Sequence, residues 1–119
     1  ENILTIDLEG NVVAGSAKRH SEVYIHTEIY KKRPDVQCVL HTHPPYAIAL
    51  SNTGEPIQPT SQPGALFFQA LNVYDASINL IRSPEMGAAV ATALGKNRAV
   101  LLRGHGAVTA GATIAETVI

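Results

Sequence analysis

Pro44-Pro45 is the pair of residues that most limits how this chain can fold. Neither proline carries a backbone N–H, so a sheet strand cannot run through them. The stretch before them, Val36-Gln37-Cys38-Val39-Leu40-His41, is short, apolar and β-branched at both valines, the pattern of a buried strand. The prolines end that strand at once and leave His41-Thr42-His43 at its C-terminal tip. Side chains at i and i+2 of a strand share a face, with Cα atoms about 7 Å apart. Two imidazoles placed so can converge on one ion, and imidazole suits zinc and other borderline metals. A bare His-x-His is more often two surface histidines. The tip of a strand, where α/β folds build their sites, favours the ligand reading.

The rest of the chain is punctuated in the same way. Ile3 to Ile6 alternates like a strand, Glu9-Gly10-Asn11 is a turn, and Val12-Val13 completes a hairpin. Ser21 is placed to cap a helix that runs to about Arg33, before Pro34. Pro44 opens a second helix and Gly54 closes it. The three prolines between Glu55 and Gly64 mark a loop; Ala65–Leu71 reads as a short helix and Ser77–Ile81 as a strand. Ser83-Pro84-Glu85 is a complete helix start, with Gly95 as its stop. Ala99–Leu102 is a second buried strand, Gly104-His105-Gly106 a tight connection, and Ala107–Ala110 a further strand. Thr113-x-x-Glu116 has capping-box spacing. The expected architecture is α/β, with helices covering a largely antiparallel or mixed sheet. The chain reads as a single domain over residues 1–119. The missing initiator methionine and the helix cut short after Thr113 read as truncation at both ends.

Composition narrows the function. Apolar residues make up 45% of the chain and charged residues 16%, a globular balance. A net charge of −1 offers nothing to nucleic acid or an anionic membrane. No apolar run approaches the roughly 20 residues of a membrane helix. The lone Cys38 excludes an internal disulfide and fits a reducing, cytoplasmic setting.

His105 is the natural third ligand. It follows a strand and lies between two glycines, which allow close backbone approach. Three protein ligands leave a position open for substrate, the mark of a catalytic metal site. Glu22 stands in the first turn of a predicted helix, where the dipole favours a carboxylate. Spacing alone makes it no more than a solvated acid. Arg103 can grip a carboxylate with its fork, or simply end a strand. His20 and His26 read as surface or supporting residues, and Cys38 as a small core residue.

Three runs together, Ser21-Glu22, the stretch from Arg33 to Ser51 containing HTHPP, and LLRGHGAVTAG from Leu101 to Gly111, resemble the class II aldolase/adducin family in order and spacing. That family includes fuculose-phosphate aldolases, epimerases and decarboxylases of aromatic acids and semialdehydes. The resemblance implies a three-layer α/β/α sandwich around a mostly antiparallel, mixed sheet. It implies a divalent metal on His41, His43 and His105, with zinc expected first and manganese, magnesium or cobalt as alternatives. It makes Glu22 the catalytic acid/base and implies a homotetramer acting on a small molecule. Sugar-phosphate members carry two serines before the glutamate, whereas this chain has His20-Ser21. That change, with the Arg-Gly-His-Gly run at Arg103, points to the decarboxylase branch and assigns Ser21, His20 and Arg103 to substrate binding. The implied reaction is decarboxylation of a hydroxy- or oxo-carboxylate through an enolate-type intermediate stabilised by the metal. A retro-aldol lyase, an epimerase and a non-catalytic adducin-like domain are the competing readings.

Overall fold

The computed structural model describes residues 3–118; the outermost ends of the single unit expected over 1–119 lie outside the described residues. A hairpin of β1 (Thr5–Ile6) and β2 (Val12–Ala14) comes first, paired antiparallel. Its turn is organised by Asp7, whose Oδ1 accepts from the Glu9 and Asn11 amides at 3.0 and 2.8 Å. The Asn11 side-chain amide bonds the other oxygen and holds the Asp7 carboxyl below its ordinary value.

Then follow α1 (Val23–Lys32), β3 (Cys38–Thr42), α2 (Pro45–Thr53), α3 (Gln62–Phe67), β4 (Leu71–Tyr74), α4 (Pro84–Leu94), β5 (Ala99–Leu102), β6 (Gly106–Gly111) and α5 (Ile114–Val118). Four strands form one sheet in the order β3-β6-β5-β4. The β3–β6 and β6–β5 pairs are antiparallel and β5–β4 is parallel. The sheet is therefore mixed and mostly antiparallel, as expected.

Alternation along β6 separates the two faces. Val108 and Ala110 point into the main core with Ile25 and Ile29 of α1 and Val90 and Leu94 of α4. Thr109, between them, donates from Oγ1 to the Thr117 carbonyl of α5 at 2.7 Å. Helices α1 and α4 cover the first face; α2 and α5 cover the second. All four residues of β5 are buried, because that strand has helices on both sides. Each fully buried Val, Ile or Leu contributes roughly 1.5–3 kcal/mol. The helices α1 and α4 cross closely at Gly87: a Cβ there would strike the Tyr24 carbonyl and lie 2.9 Å from Glu28 Cγ.

Three local expectations are corrected. The strand expected at Ser77–Ile81 lies instead at Leu71–Tyr74, where it pairs in parallel with β5. Residues 75–83 are irregular, and Ser77 Oγ accepts from the Asn79 amide to make a side-chain turn that competes with a ladder. The short helix is α3, earlier than Ala65–Leu71; Ser61 caps it by accepting from the Gly64 amide, and it stops before Gln69, whose φ is 58°. Ser21 does not cap α1. The N-cap is Glu22, with no side-chain cap, because its carboxylate is turned elsewhere. Ser83 does cap α4, accepting from the Met86 amide at 3.3 Å. Among the described residues no helix is long and apolar enough to cross a membrane.

Candidate metal centre

His41 is the penultimate residue of β3 and His43 lies just past its end, so the pleat turns both rings to one side. Beside them, β6 begins at Gly106. A Cβ at Gly106 would run into the Thr42 carbonyl and lie 2.8 Å from His43 Cδ2 and 3.3 Å from His41 Cε1. Only glycine leaves room for the two rings.

His41 Nδ1 lies 3.1 Å from the Ala107 carbonyl oxygen. A carbonyl only accepts, so Nδ1 carries the proton and donates, and Nε2 keeps its lone pair free. Burial pushes the His41 imidazole below its ordinary value, which keeps the ring neutral near pH 7. The same cause lowers His26 behind it. A neutral imidazole with one nitrogen fixed by a carbonyl is the usual form of a metal ligand.

His105 sits in the turn joining β5 to β6. Gly104 takes a φ of 64° there, and its amide donates to Ser51 Oγ of α2 at 3.0 Å. Ser51 is buried and passes its own proton to the Ile48 carbonyl at 2.7 Å. The His105 ring is thereby turned inward. Both of its nitrogens are buried and lack a hydrogen-bond partner among the described residues. Leaving a buried polar group unpaired costs about 1–3 kcal/mol, which a ligand contact would offset.

Glu22 completes the group. It is 2% exposed, and the Ile81 amide donates to its Oε1 at 2.9 Å. That oxygen lies 3.3 Å from His105 Nε2, and Oε2 lies 3.6 Å from His41 Nε2. With His41 neutral, its contact is not an ion pair. His41 Nε2 and His43 Nε2 are 3.1 Å apart, and the three ring centroids are 4.8 to 5.0 Å from one another. The four donor atoms all lie within 4.8 Å of each other. Two nitrogens each about 2.05 Å from one tetrahedral zinc stand roughly 3.3 Å apart, so the 3.1 Å between His41 Nε2 and His43 Nε2 fits a shared ion.

A cavity of about 650 Å³ opens beside this cluster, with His41 and His43 in its wall. His20 lines it too, and His20 Nδ1 accepts the Glu22 amide at 3.2 Å. Ser21 is exposed in the preceding turn and is not part of that wall. Arg103 is not part of it either; its guanidinium faces Asp75 across 3.6 Å. Lys18 and Arg19, which the sequence reading passed over, do line the cavity. Their signal was available as an unbroken basic run, Lys18-Arg19-His20, leading into Ser21-Glu22.

The sequence matches the Class II Aldolase and Adducin N-terminal domain over residues 1–119. The chain belongs to that family. This class II aldolase/adducin domain is 33% identical over 128 residues to a 3,4-dihydroxyphthalate decarboxylase of Arthrobacter keyseri, covering 99% of the chain and 51% of that protein. It is 31% identical over 106 residues to a 5-deoxy-D-ribulose 1-phosphate aldolase of Bacillus thuringiensis, covering 89% of the chain and 49% of that protein. Among solved structures it superposes on an aldolase II superfamily protein from Pseudomonas syringae with a TM-score of 0.86 at 26% identity, over 98% of this chain and 48% of that one. The chain thus spans about half the length of these relatives. Class II aldolases use a divalent metal.

Proposed function

We propose that the chain is part of a metal-dependent carbon–carbon lyase, with His41, His43 and His105 as metal ligands and Glu22 as the acid/base. One observation carries the reading: three imidazole nitrogens and a buried carboxylate converge within 4.8 Å, and the nitrogens of His105 have no other partner among the described residues. Imidazole donors around an open position favour zinc. A divalent ion bound there supplies Lewis acidity for the negative charge that develops on substrate oxygen as the bond breaks.

The protein's own groups do the rest. The Ala107 carbonyl sets the His41 tautomer, and the Ile81 amide holds the Glu22 carboxylate toward the cluster. In a decarboxylation the carbon–carboxylate bond breaks, carbon dioxide leaves, and its electron pair stays on carbon. For this step Glu22 enters as the carboxylic acid, gives its proton to that carbon, and takes a new one from water. In a retro-aldol cleavage the carboxylate form removes the hydroxyl proton, an aldehyde leaves, and the electron pair left on carbon takes that proton back from Glu22. The decarboxylation of a hydroxy- or oxo-carboxylate is the preferred reading, since one relative is named for such a reaction and His20 stands in the cavity wall. The relative named as a sugar-phosphate aldolase supports the second. A non-catalytic adducin-like role fits poorly with a complete donor set.

The test is product analysis on the full chain loaded with zinc or manganese. Catechol carboxylates, hydroxy acids and sugar phosphates are offered in turn. Metal-dependent carbon dioxide release is expected; aldehyde without carbon dioxide selects the aldolase reading, and no turnover of any of them overturns both.

A further inference from the structure

The cavity beside the histidines has a charge pattern that the lyase reading leaves unused. Its wall carries Lys18, Arg19 and His20 on one side, and none of its lining residues is acidic. Arg19 is the unusual member. Its Cζ lies over the Tyr24 ring, 5.4 Å from the ring centre, a cation–π contact that helps hold the guanidinium. On its other side is Gly10, in the turn of the β1–β2 hairpin, with a φ of 85°; a Cβ at that position would come within 3.1 Å of Arg19 Nη1. The turn is thus built to admit the guanidinium. Arg19 Nη1 is buried and has no hydrogen-bond acceptor among the described residues. Among those residues Arg19 forms no salt bridge, as is also true of Arg82 and Arg98; of the three, Arg19 alone lines the cavity. Nη1 is enclosed against the turn, so the cavity meets Arg19 through the rest of its side chain, where no acidic residue lines the wall to neutralise it.

We infer that Arg19, assisted by Lys18 at the cavity wall, is a specificity-determining residue that grips an anionic group of the substrate, a carboxylate or a phosphate, remote from the reacting carbons. This deepens the lyase reading, and rests on it for the identity of the bound molecule as substrate. It also moves the anion-holding role away from Arg103, which does not line the cavity. A guanidinium fork matches either anion with two parallel hydrogen bonds. Tyr24 and Gly10 hold that fork in place before the ligand arrives, which lowers the ordering cost of binding.

The experiment is calorimetric titration of the full chain with benzoate and, separately, phenyl phosphate. It is run on protein stripped with a chelator and on protein loaded with zinc. Stripped wild type is expected to bind at least one probe, and which of the two binds tighter distinguishes carboxylate from phosphate. Arg19→Ala should weaken that binding roughly 10- to 100-fold and leave zinc affinity unchanged. Arg19→Lys keeps the charge and most of the packing but not the fork; it should bind about threefold more weakly or worse. It decides the matter if Arg19→Ala fails to fold. Wild-type binding by the Arg19 variants overturns the inference. So does probe binding that needs zinc and disappears in His43→Ala, because the anion would then sit on the ion. If wild type refuses zinc while Arg19-dependent probe binding persists, the lyase reading fails and the anion site stands.

Discussion

Replacing Gly106 with alanine would set a methyl group between the two histidines of the β3 tip. The new Cβ would lie 2.8 Å from His43 Cδ2 and 3.3 Å from His41 Cε1, and would press on the Thr42 carbonyl. Carbon atoms rest at about 3.5–4.0 Å, so the His43 ring has to recede by roughly 1 Å and the His41 ring by a few tenths. The carbonyl belongs to the paired β3–β6 ladder and cannot move freely. Ligand sites tolerate displacements of about 0.5 Å. Zinc affinity should therefore fall about 10- to 100-fold, the range seen when the supports of a metal ligand are altered. Overpacking should also cost about 1–3 kcal/mol of stability without metal. Zinc affinity is read by competition with a chromophoric chelator, and stability by urea unfolding in excess chelator. A Gly106→Ala variant with wild-type values in both assays would show that the closeness of Gly106 to the rings is not what shapes the site.

Glu22→Gln keeps an oxygen to accept the Ile81 amide, so zinc binding should persist while turnover falls about 10²–10⁴-fold; steady-state rates on the metal-loaded variant check this, and unchanged turnover removes Glu22 from the chemistry. His43→Ala alters an exposed side chain at a strand tip, so circular dichroism should be unchanged while stoichiometric zinc binding disappears. Ser51→Ala strands the Gly104 amide beneath α2 and should cost about 1–3 kcal/mol in urea unfolding; a neutral result would mean that water replaces the hydroxyl.

The parts of this molecule that were legible in advance are those whose cause is local. Ser83-Pro84 and Gly95 delimit α4 because capping needs a hydroxyl at one end and left-handed freedom at the other. Pro44-Pro45 closes β3 and opens α2 for an equally local reason. His41, His43 and His105 could be grouped because i, i+2 alternation and paired glycines are sequence patterns. What was not legible depends on distant partners. Residues 77–81 look as strand-like as residues 71–74, and only the vacancy beside β5 decides which segment pairs there. Glu22 is set apart from other acids by the Ile81 amide, 59 residues away. Ser21 loses its capping role because the neighbouring carboxylate points into the site. Arg19 and Arg103 each stand within two residues of a histidine. Each has a buried guanidinium nitrogen without a partner among the described residues; what separates them is that Arg19 lines the cavity and Arg103 does not, which the chain order does not reveal.

The four convergent groups come from residues 22, 41, 43 and 105, on the approach to α1, the tip of β3 and the β5–β6 turn. Most of these contacts join segments far apart along the chain, and closing them costs loop entropy. An ion that recognises all of them can bind only the assembled state. Its free concentration then enters the folding equilibrium directly: at one hundred times the dissociation constant it adds about 2.7 kcal/mol. If the proposed site holds its ion, a thermal or urea transition measured on this protein would report metal supply as much as packing, and two preparations differing only in a trace of divalent metal would look like two different proteins.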